Sequence, residues 1–138
     1  MKTYIVVEDP KRWNLKVPGV EVVKARDYLA DERYSEPGTV KVLNCCYYYH
    51  YQSTGYYVSL VAAARGHYPM PSVQALQDMR HNVVIRRASH NLTMQIQRSF
   101  KGMHGDTFEL SIYFGKNVAH RYNTLSKMLF NLFPLPFF

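Results

Sequence analysis

The sequence predicts a small three-layer α/β domain, with a mostly parallel sheet of about four strands flanked by helices. Short apolar runs in the first third of the chain are typical of strands buried on both faces of a sheet. Long helical stretches follow the third run, and parallel strands need crossover connections of that kind. With 138 residues, of which 47% are hydrophobic and 20% charged, the chain has the size and composition of one ordinary domain.

The first three strands are predicted at residues 4–7, 20–23 and 39–43. The first is a continuous apolar run that stops before Asp9-Pro10, a dipeptide that favours a turn. Residues 25–30 are expected to form about one helical turn. The predicted order of all elements is β, β, β, α, α, α, β, α, and the expected three-layer fold is of the Rossmann or flavodoxin kind.

The helix after the third strand, predicted at residues 56–65, is apolar nearly all round, and this favours burial between layers. Ser53 is predicted to cap it, because a serine hydroxyl accepts a hydrogen bond from an unpaired backbone N–H. Gly66 stands where a left-handed residue ends a helix, and Pro69 follows.

Two more helices and a strand are predicted before the last helix. Ser72 is expected to cap the first of these helices. The second is long and amphipathic and ends at Gly102 and Gly105, and its apolar stripe recurs every four residues: Val84, Ala88, Leu92, Ile96 and Phe100. Residues 107–114 alternate between apolar and polar side chains, as in an edge or antiparallel strand.

Asn117 is the predicted cap of the last helix, which Pro134 ends. Its predicted inner face consists of Val118, Tyr122, Leu125, Leu129, Leu132 and Phe133. Large apolar residues then occupy the carboxyl terminus, where residues are usually polar and poorly ordered. We therefore expect residues 1–138 to be a single domain that forms the amino-terminal part of a longer protein; a terminus docked on its own core is the alternative.

The overall composition limits the possible function classes. The formal charge of +7 permits an acidic partner such as nucleic acid, a nucleotide or an acidic peptide. The adjacent Cys45 and Cys46 favour neither a disulfide nor a zinc site, and they fit a reducing cytoplasm. No signal peptide and no apolar run long enough for a membrane helix is recognisable, so a cytoplasmic protein without a membrane partner is expected.

The predicted functional surface is the connection between the third strand and the helix that Ser53 caps. Loops at the carboxyl ends of parallel strands, where helices begin, are common ligand sites. Six of the twelve tyrosines fall between Tyr47 and Tyr57. The candidate ligand-binding residues are Asn44, Tyr49, Tyr51, Gln52, Ser53, Thr54, Gly55 and Tyr56.

These residues offer backbone N–H groups at a helix start, a glycine for close approach, and rings for stacking, which suits a phosphate, a carboxylate or a planar group. The surface contains neither a P-loop nor a dinucleotide fingerprint. In the alternative interpretation the tyrosines pack over the sheet edge and Ser53 only caps the helix.

A second surface is predicted on the long helix, because no acidic residue occurs between Met79 and Gly105. A basic helix face can bind phosphates, although a solvated face gives the same pattern. The basic residues are Arg86, Arg87, Arg98 and Lys101. Nucleic acid is therefore a less favoured partner, without a recognisable nucleic-acid motif to support it.

A third hypothesis is a small stand-alone enzyme that uses Cys45 or Cys46 as a nucleophile with His50. Buried structural cysteines are the favoured alternative. The six histidines show no metal-ligand spacing, and no catalytic residue is assigned.

Several strings of the sequence resemble the amino-terminal domain found ahead of RimK-like ATP-grasp ligases. They are residues 20–29, 51–60, 64–67, 71–73, 108–115 and 129–134. The most specific are Tyr51-Gln52-Ser53-Thr54-Gly55-Tyr56-Tyr57-Val58-Ser59 and Glu109-Leu110-Ser111-Ile112-Tyr113-Phe114-Gly115.

The resemblance implies an ATP-grasp module in cis, which would activate a carboxylate as an acyl phosphate and join it to an amine with ATP and magnesium. This chain itself is then expected to hold no cofactor and to be non-catalytic, helping to bind a peptide or amino-acid substrate.

Overall fold

The computed structural model describes residues 1–102, 105, 110–118, 120 and 122–137, and for residues 88, 89 and 91 it describes the backbone alone. The chain divides into two compact units, Met1–Leu76 and Gln77–Phe138. The strands are β1 (Lys2–Val7), β2 (Val20–Lys24), β3 (Val40–Asn44) and β4 (Tyr68–Met70). The helices are α1 (Ala25–Ala30), α2 (Thr54–Ala64), α3 (Val73–Arg80), α4 (Asn82–Ser99) and α5 (Asn123–Leu132).

The four strands form one sheet in the order β2-β1-β3-β4, and every neighbouring pair is parallel. The central strand β1 is buried on both faces, since the successive residues Val6 and Val7 are both buried. The prediction of a small α/β fold with a mostly parallel sheet of about four strands flanked by helices is therefore confirmed, and the architecture is consistent with three layers.

The order of the strands reverses its direction between β1 and β3. The chain passes from β1 to β2 on one side, then returns across β1 to β3 and continues outward to β4. The loops that leave the carboxyl ends of β1 and β3 therefore run in opposite directions. Such a point opens a crevice in α/β sheets, and it is where their ligands usually bind.

The fourth strand lies elsewhere than predicted. β4 is an edge strand in which Pro69 is in register with Val42 of β3. Its three residues are too few to give a periodic signal, and a proline is tolerated only where the strand needs no further neighbour. Of the predicted strand, residues 107–109 lie outside the described residues, and the described residues 110–114 contain only isolated bridges from Tyr113.

The core of the first unit is rich in tyrosine. Tyr4 of β1 packs edge-on against Tyr34 at a ring distance of 5.3 Å, and against Tyr28 of α1 at 6.3 Å. The buried Tyr28 hydroxyl shares a hydrogen bond of 2.9 Å with Nδ1 of His67. Nη1 of Arg65 donates to the Tyr28 carbonyl oxygen at 2.5 Å. These bonds hold α1 against the end of α2.

Both ends of α2 follow the sequence prediction. The Ser53 hydroxyl accepts a hydrogen bond of 3.2 Å from the backbone N–H of Tyr56. Gly66 has a φ of +75° and ends the helix, as expected of a left-handed residue. The burial between layers expected for α2 applies to only one of its faces, because Tyr57 and Leu60 are exposed. The helix buries only the face that meets its neighbours.

In the second unit, α4 and α5 pack together. The predicted stripe of α4 is buried at Leu92 and half-buried at Ile96 and Phe100, whereas Val84 is exposed. At the end of this unit Leu135 is buried, like Phe133.

The prediction that Asn117 caps the last helix is wrong, because α5 begins only at Asn123. The Asn117 side chain instead donates to the carbonyl oxygen of Ser111 at 3.0 Å. The side chain of Asn123 accepts from the Asn117 N–H at 2.8 Å. Val118, predicted to lie on the inner face, precedes the helix and is exposed.

The last residue of β3 fixes the start of α2. The fully buried Asn44 donates from Nδ2 to the carbonyl oxygen of Gly55 at 2.6 Å and to the Ser59 hydroxyl at 2.9 Å. Its Oδ1 accepts from the Cys46 N–H at 3.3 Å. Ser59 in turn donates to the carbonyl oxygen of Pro71 at 2.7 Å. One amide thus joins a strand end, a loop and a helix.

Gly55 is buried directly against the chain's own loop. A Cβ at this position would overlap the carbonyl oxygen of Tyr48, and it would lie 3.0 Å from Cβ of Cys46 and 3.0 Å from Cδ1 of Tyr49. The space that the sequence analysis reserved for a ligand at this glycine is occupied by the backbone of the loop.

We predict that Gly55→Ala destabilises the protein by about 1–3 kcal/mol, because the new methyl group must displace backbone. In an unobstructed helix the same change would stabilise by up to about 1 kcal/mol. Urea unfolding of the two proteins measures the difference in the free energy of unfolding.

Gly38→Ala is the matched control, since a Cβ at Gly38 meets no atom within 4 Å. It should stay within about 1 kcal/mol of the parent and on the stabilising side. If the two glycine variants were equally stable, the close packing at Gly55 would be refuted.

Candidate functional site

The candidate site lies at the carboxyl ends of β1 and β3. Two loops meet there. We call residues 45–53, which join β3 to α2, the tyrosine loop. Residues 8–19, which leave β1, form its neighbour. The backbone N–H of Tyr47 in the tyrosine loop donates to Oε1 of Glu8 at 2.9 Å, so the two loops are joined by a direct hydrogen bond.

The rings of the tyrosine loop separate into an exposed and an inward-facing set. Tyr47, Tyr48 and Tyr51 are 54%, 67% and 54% exposed. Tyr49 faces inward, where its hydroxyl donates to the Asn44 carbonyl oxygen at 2.5 Å. Burial raises the pKa of the Tyr49 hydroxyl well above its ordinary value, so this group is a neutral donor.

A row of aromatic rings continues from the loop onto α2. Tyr51 meets the buried Tyr56 at a ring distance of 5.4 Å, and Tyr56 meets Tyr57 at 5.8 Å. Gln52, between the loop and the helix, is exposed and has a φ of +64°. Gln52 therefore forms a left-handed turn directly after the exposed Tyr51.

The predicted ligand-binding residues thus have different environments. Asn44 and Gly55 are buried and bound to the chain itself, and Ser53 caps α2. Tyr49 and Ser53 are half-buried, and the exposed members are Tyr51, Gln52 and Thr54. Ligand binding by this set stays a prediction, and the geometry confines direct contact to its exposed members.

A small cavity of about 130 Å³ lies between the two loops. Its lining consists of Val7, Glu8, Asp9, Arg12, Trp13, Cys45 and Tyr47. The sequence analysis assigned no role to Glu8 or Trp13. The available signal was a carboxylate directly after a buried parallel strand, at the edge where the tyrosine loop was already expected.

The two cysteines are poor candidates for a nucleophile. Burial raises the pKa of the Cys45 thiol to about 11. It raises the pKa of Cys46 further, and the Glu8 carboxylate adds to this shift. Because the thiolate is the reactive form, both shifts lower reactivity at neutral pH. The geometry thus favours structural cysteines over the enzyme hypothesis with His50.

The basic residues of the second predicted surface are all exposed: Arg86, Arg87, Arg98 and Lys101. Arg87 and Arg98 share one face of α4, because a separation of eleven residues is close to three turns. They lie about 16 Å apart along the helix axis. This spacing is compatible with contacts to separate phosphates.

Among the described residues, no group of three or more histidine, cysteine, aspartate or glutamate side chains is placed to hold a metal ion. A search of the same residues finds no helix with the length and apolar character needed to cross a membrane.

We predict that both cysteines of the folded protein react slowly with iodoacetamide at pH 8. A thiol with a pKa of about 11 carries about 100-fold less thiolate there than an ordinary thiol. The rate at Cys45 should rise with pH, reach half of its maximum near pH 11 and level off above it. Mass spectrometry of native and guanidinium-unfolded protein measures the two rates.

Cys46→Ser isolates the contribution of Cys45, which is the more accessible of the two thiols. If the native protein were labelled at the same rate as the unfolded chain, the interpretation of both cysteines as structural would be contradicted. The enzyme hypothesis would then be favoured.

Comparison with known proteins identifies one family. The model described as RimK-like ATPgrasp N-terminal domain matches residues 25–138, from the start of α1 onward and thus well over half of the chain. The searches of curated proteins and of solved structures returned no match. The matched span includes the tyrosine loop, α2 and the two most specific strings of the sequence resemblance. The chain therefore belongs to the family of RimK-like ATP-grasp N-terminal domains.

Proposed function

We propose that this chain is the non-catalytic, substrate-binding domain of a RimK-like ATP-grasp amide ligase. In this proposal an ATP-grasp module in cis carries out the ligation with ATP and magnesium. The present chain helps to bind the peptide or amino-acid substrate. Membership of a family of amino-terminal domains supports the first part.

The observation that carries the second part is the exposure of the tyrosine loop. Three tyrosines in it expose more than half of their surface, although tyrosine rings usually bury their apolar faces. The loop backbone is nevertheless fixed, since Ser53 bonds to the Tyr48 carbonyl oxygen at 3.2 Å and to the first turn of α2. Exposed rings on a fixed backbone give contact area at a low cost in conformational entropy.

The chemistry of the exposed groups fits a peptide or an amino acid. Tyr51 offers a ring face and a hydroxyl, and Gln52 offers both a donor and an acceptor that can pair with a peptide group. His50 is exposed beside them, with its ring 5.9 Å from that of Tyr48.

We predict that Tyr51→Ala and Gln52→Gly in the full-length ligase raise the KM for the amino-acid or peptide substrate by about three- to tenfold each. Loss of one hydrogen bond or ring contact accounts for that factor. The kcat should stay within about twofold, since neither residue takes part in the chemical step. Glycine is chosen at position 52 because it tolerates the positive φ.

Tyr68→Ala is the matched control. Tyr68 is 63% exposed, but it lies on the edge strand β4, in register with Lys41 near the start of β3. Its removal should leave both constants unchanged. If Tyr51→Ala and Gln52→Gly also left KM unchanged, the tyrosine loop would not be the substrate surface.

A nucleic-acid-binding function is the second candidate, and the exposure of Arg87 and Arg98 on one face of α4 favours it.

This second function predicts binding to a single-stranded oligonucleotide that weakens steeply between about 50 and 200 mM salt. Fluorescence polarisation measures this binding. The double variant Arg87→Gln/Arg98→Gln should flatten the salt dependence, and Lys16→Gln should not. Absence of binding at about 50 mM salt would exclude this function.

A further inference from the structure

Two of the residues that line the cavity between the loops after β1 and β3, Glu8 and Trp13, each have one buried polar side-chain atom without a partner. Oε2 of Glu8 and Nε1 of Trp13 are both buried, and neither makes a hydrogen bond to a described residue. Buried polar atoms are nearly always paired in folded proteins, because an unmade hydrogen bond costs about 1–3 kcal/mol. Oε2 of Glu8 is an acceptor and Nε1 of Trp13 is a donor, so a molecule that satisfied both would have to present both kinds of group.

The position of the cavity favours a ligand. It lies at the carboxyl ends of the adjacent strands β1 and β3, where the strand order reverses. This is the usual ligand crevice of an open α/β sheet. Glu8 and Trp13 precede the span that the family model matches, whereas Cys45 and Tyr47 lie within it. The cavity is therefore lined by residues from inside and outside the matched span.

The size of the cavity restricts the ligand to a small polar head. The cavity volume is only about 130 Å³. Sites for drug-sized ligands occupy about 300–1,000 Å³, so a nucleotide does not fit.

The charges of the lining restrict the chemistry further. A carboxylate oxygen without a partner favours a cationic donor, and an ammonium group supplies three N–H donors. A divalent cation is disfavoured, because it needs oxygen ligands, whereas the indole N–H and the Arg12 guanidinium of the lining are donors. The Asp9 carboxylate already accepts a hydrogen bond of 3.1 Å from the Lys11 N–H. A simple anion is disfavoured by Glu8 itself.

We propose that this cavity binds the head of an α-amino acid. Its ammonium group donates to Oε2 of Glu8, and its carboxylate accepts from Nε1 of Trp13 and pairs with Arg12. The side chain of the amino acid extends toward the exposed rings of the tyrosine loop. The site rests on the proposed function in one respect, namely that the bound amino acid is the substrate of the ligase. Binding of the amino acid does not depend on any ligase activity.

The only tryptophan of the chain provides a direct probe, because Trp13 lines the cavity. The indole N–H resonance of the 138-residue chain is followed while each standard amino acid is added to about 10 mM, well above a dissociation constant of about 1 mM. We expect a saturable shift with at least one of them. Methylamine and acetate, which each carry one of the two charged groups, should bind at least about tenfold more weakly.

Glu8→Gln tests the assignment of the ammonium site. The amide oxygen introduced by this change can still accept from the Tyr47 N–H, but a neutral group then stands where the ammonium group binds. Affinity should fall by at least about tenfold. Glu36→Gln, a neutralisation of an exposed glutamate that does not line this cavity, should change it by less than about twofold.

Arg12→Gln gives a second variant at an exposed position should Glu8→Gln fail to fold. It should weaken amino acids and acetate while leaving methylamine unchanged. Calorimetry with Trp13→Phe, which keeps an aromatic ring but lacks the N–H donor, should show a similar loss for amino acids.

Three results would overturn the proposal: no amino acid shifts the Trp13 resonance, Glu8→Gln binds as well as the parent, or a crystal structure with amino acid present shows only water between Glu8 and Trp13. Failure of the proposed function is distinguishable from these. A ligase insensitive to Tyr51→Ala and Gln52→Gly, with cavity binding intact, would reject the tyrosine loop alone.

Discussion

The buried side chain of Asn44 is the constraint on which the rest of the site depends. A primary amide without access to water must satisfy its hydrogen bonds within the protein. Here it does so with the Gly55 carbonyl oxygen, the Ser59 hydroxyl and the Cys46 N–H, and the backbone carbonyl oxygen of Asn44 accepts from the Tyr49 hydroxyl. The direction in which the chain leaves β3 follows from these bonds. The tyrosine loop can close over Gly55 because this position has no side chain.

This arrangement divides the site into a fixed base and an accessible rim. Asn44, Gly55 and Tyr49 belong to the base, where their polar groups are used internally. Tyr48, Tyr51 and Gln52 form the rim, which solvent reaches. The hydrogen bond from Tyr47 to Glu8 links the tyrosine loop, which carries this rim, to the cavity beside β1. In the proposed function, recognition of a small head and of a variable side chain is divided between these neighbouring surfaces.

Local signals predicted much of the fold. The apolar runs of β1 to β3, the caps at Ser53 and Ser72 and the left-handed Gly66 correspond to the structure because each depends on nearby residues. β4 could not be predicted, since three residues with a proline give no periodicity and only pairing with β3 defines them. The cap of α5 was misplaced because Asn117 has the right residue type, whereas tertiary contacts to Ser111 and Asn123 decide its role. In the site, the sequence predicted the position of the loop. It could not show whether a glycine is needed at position 55 for packing or for contact with a ligand.

The edges of the sheet have a consequence for the behaviour of the protein in solution. An uncovered strand edge is a template on which a second molecule can pair and begin an aggregate. β4 is only three residues long, and Pro69 in its centre lacks the amide hydrogen that such pairing needs. β2, at the opposite edge, carries the exposed charges of Glu21 and Lys24, which a second strand would have to cover. Both outer strands thus disfavour pairing with a strand of a second molecule. This counteracts the tendency of a surface with so many exposed tyrosines to self-associate.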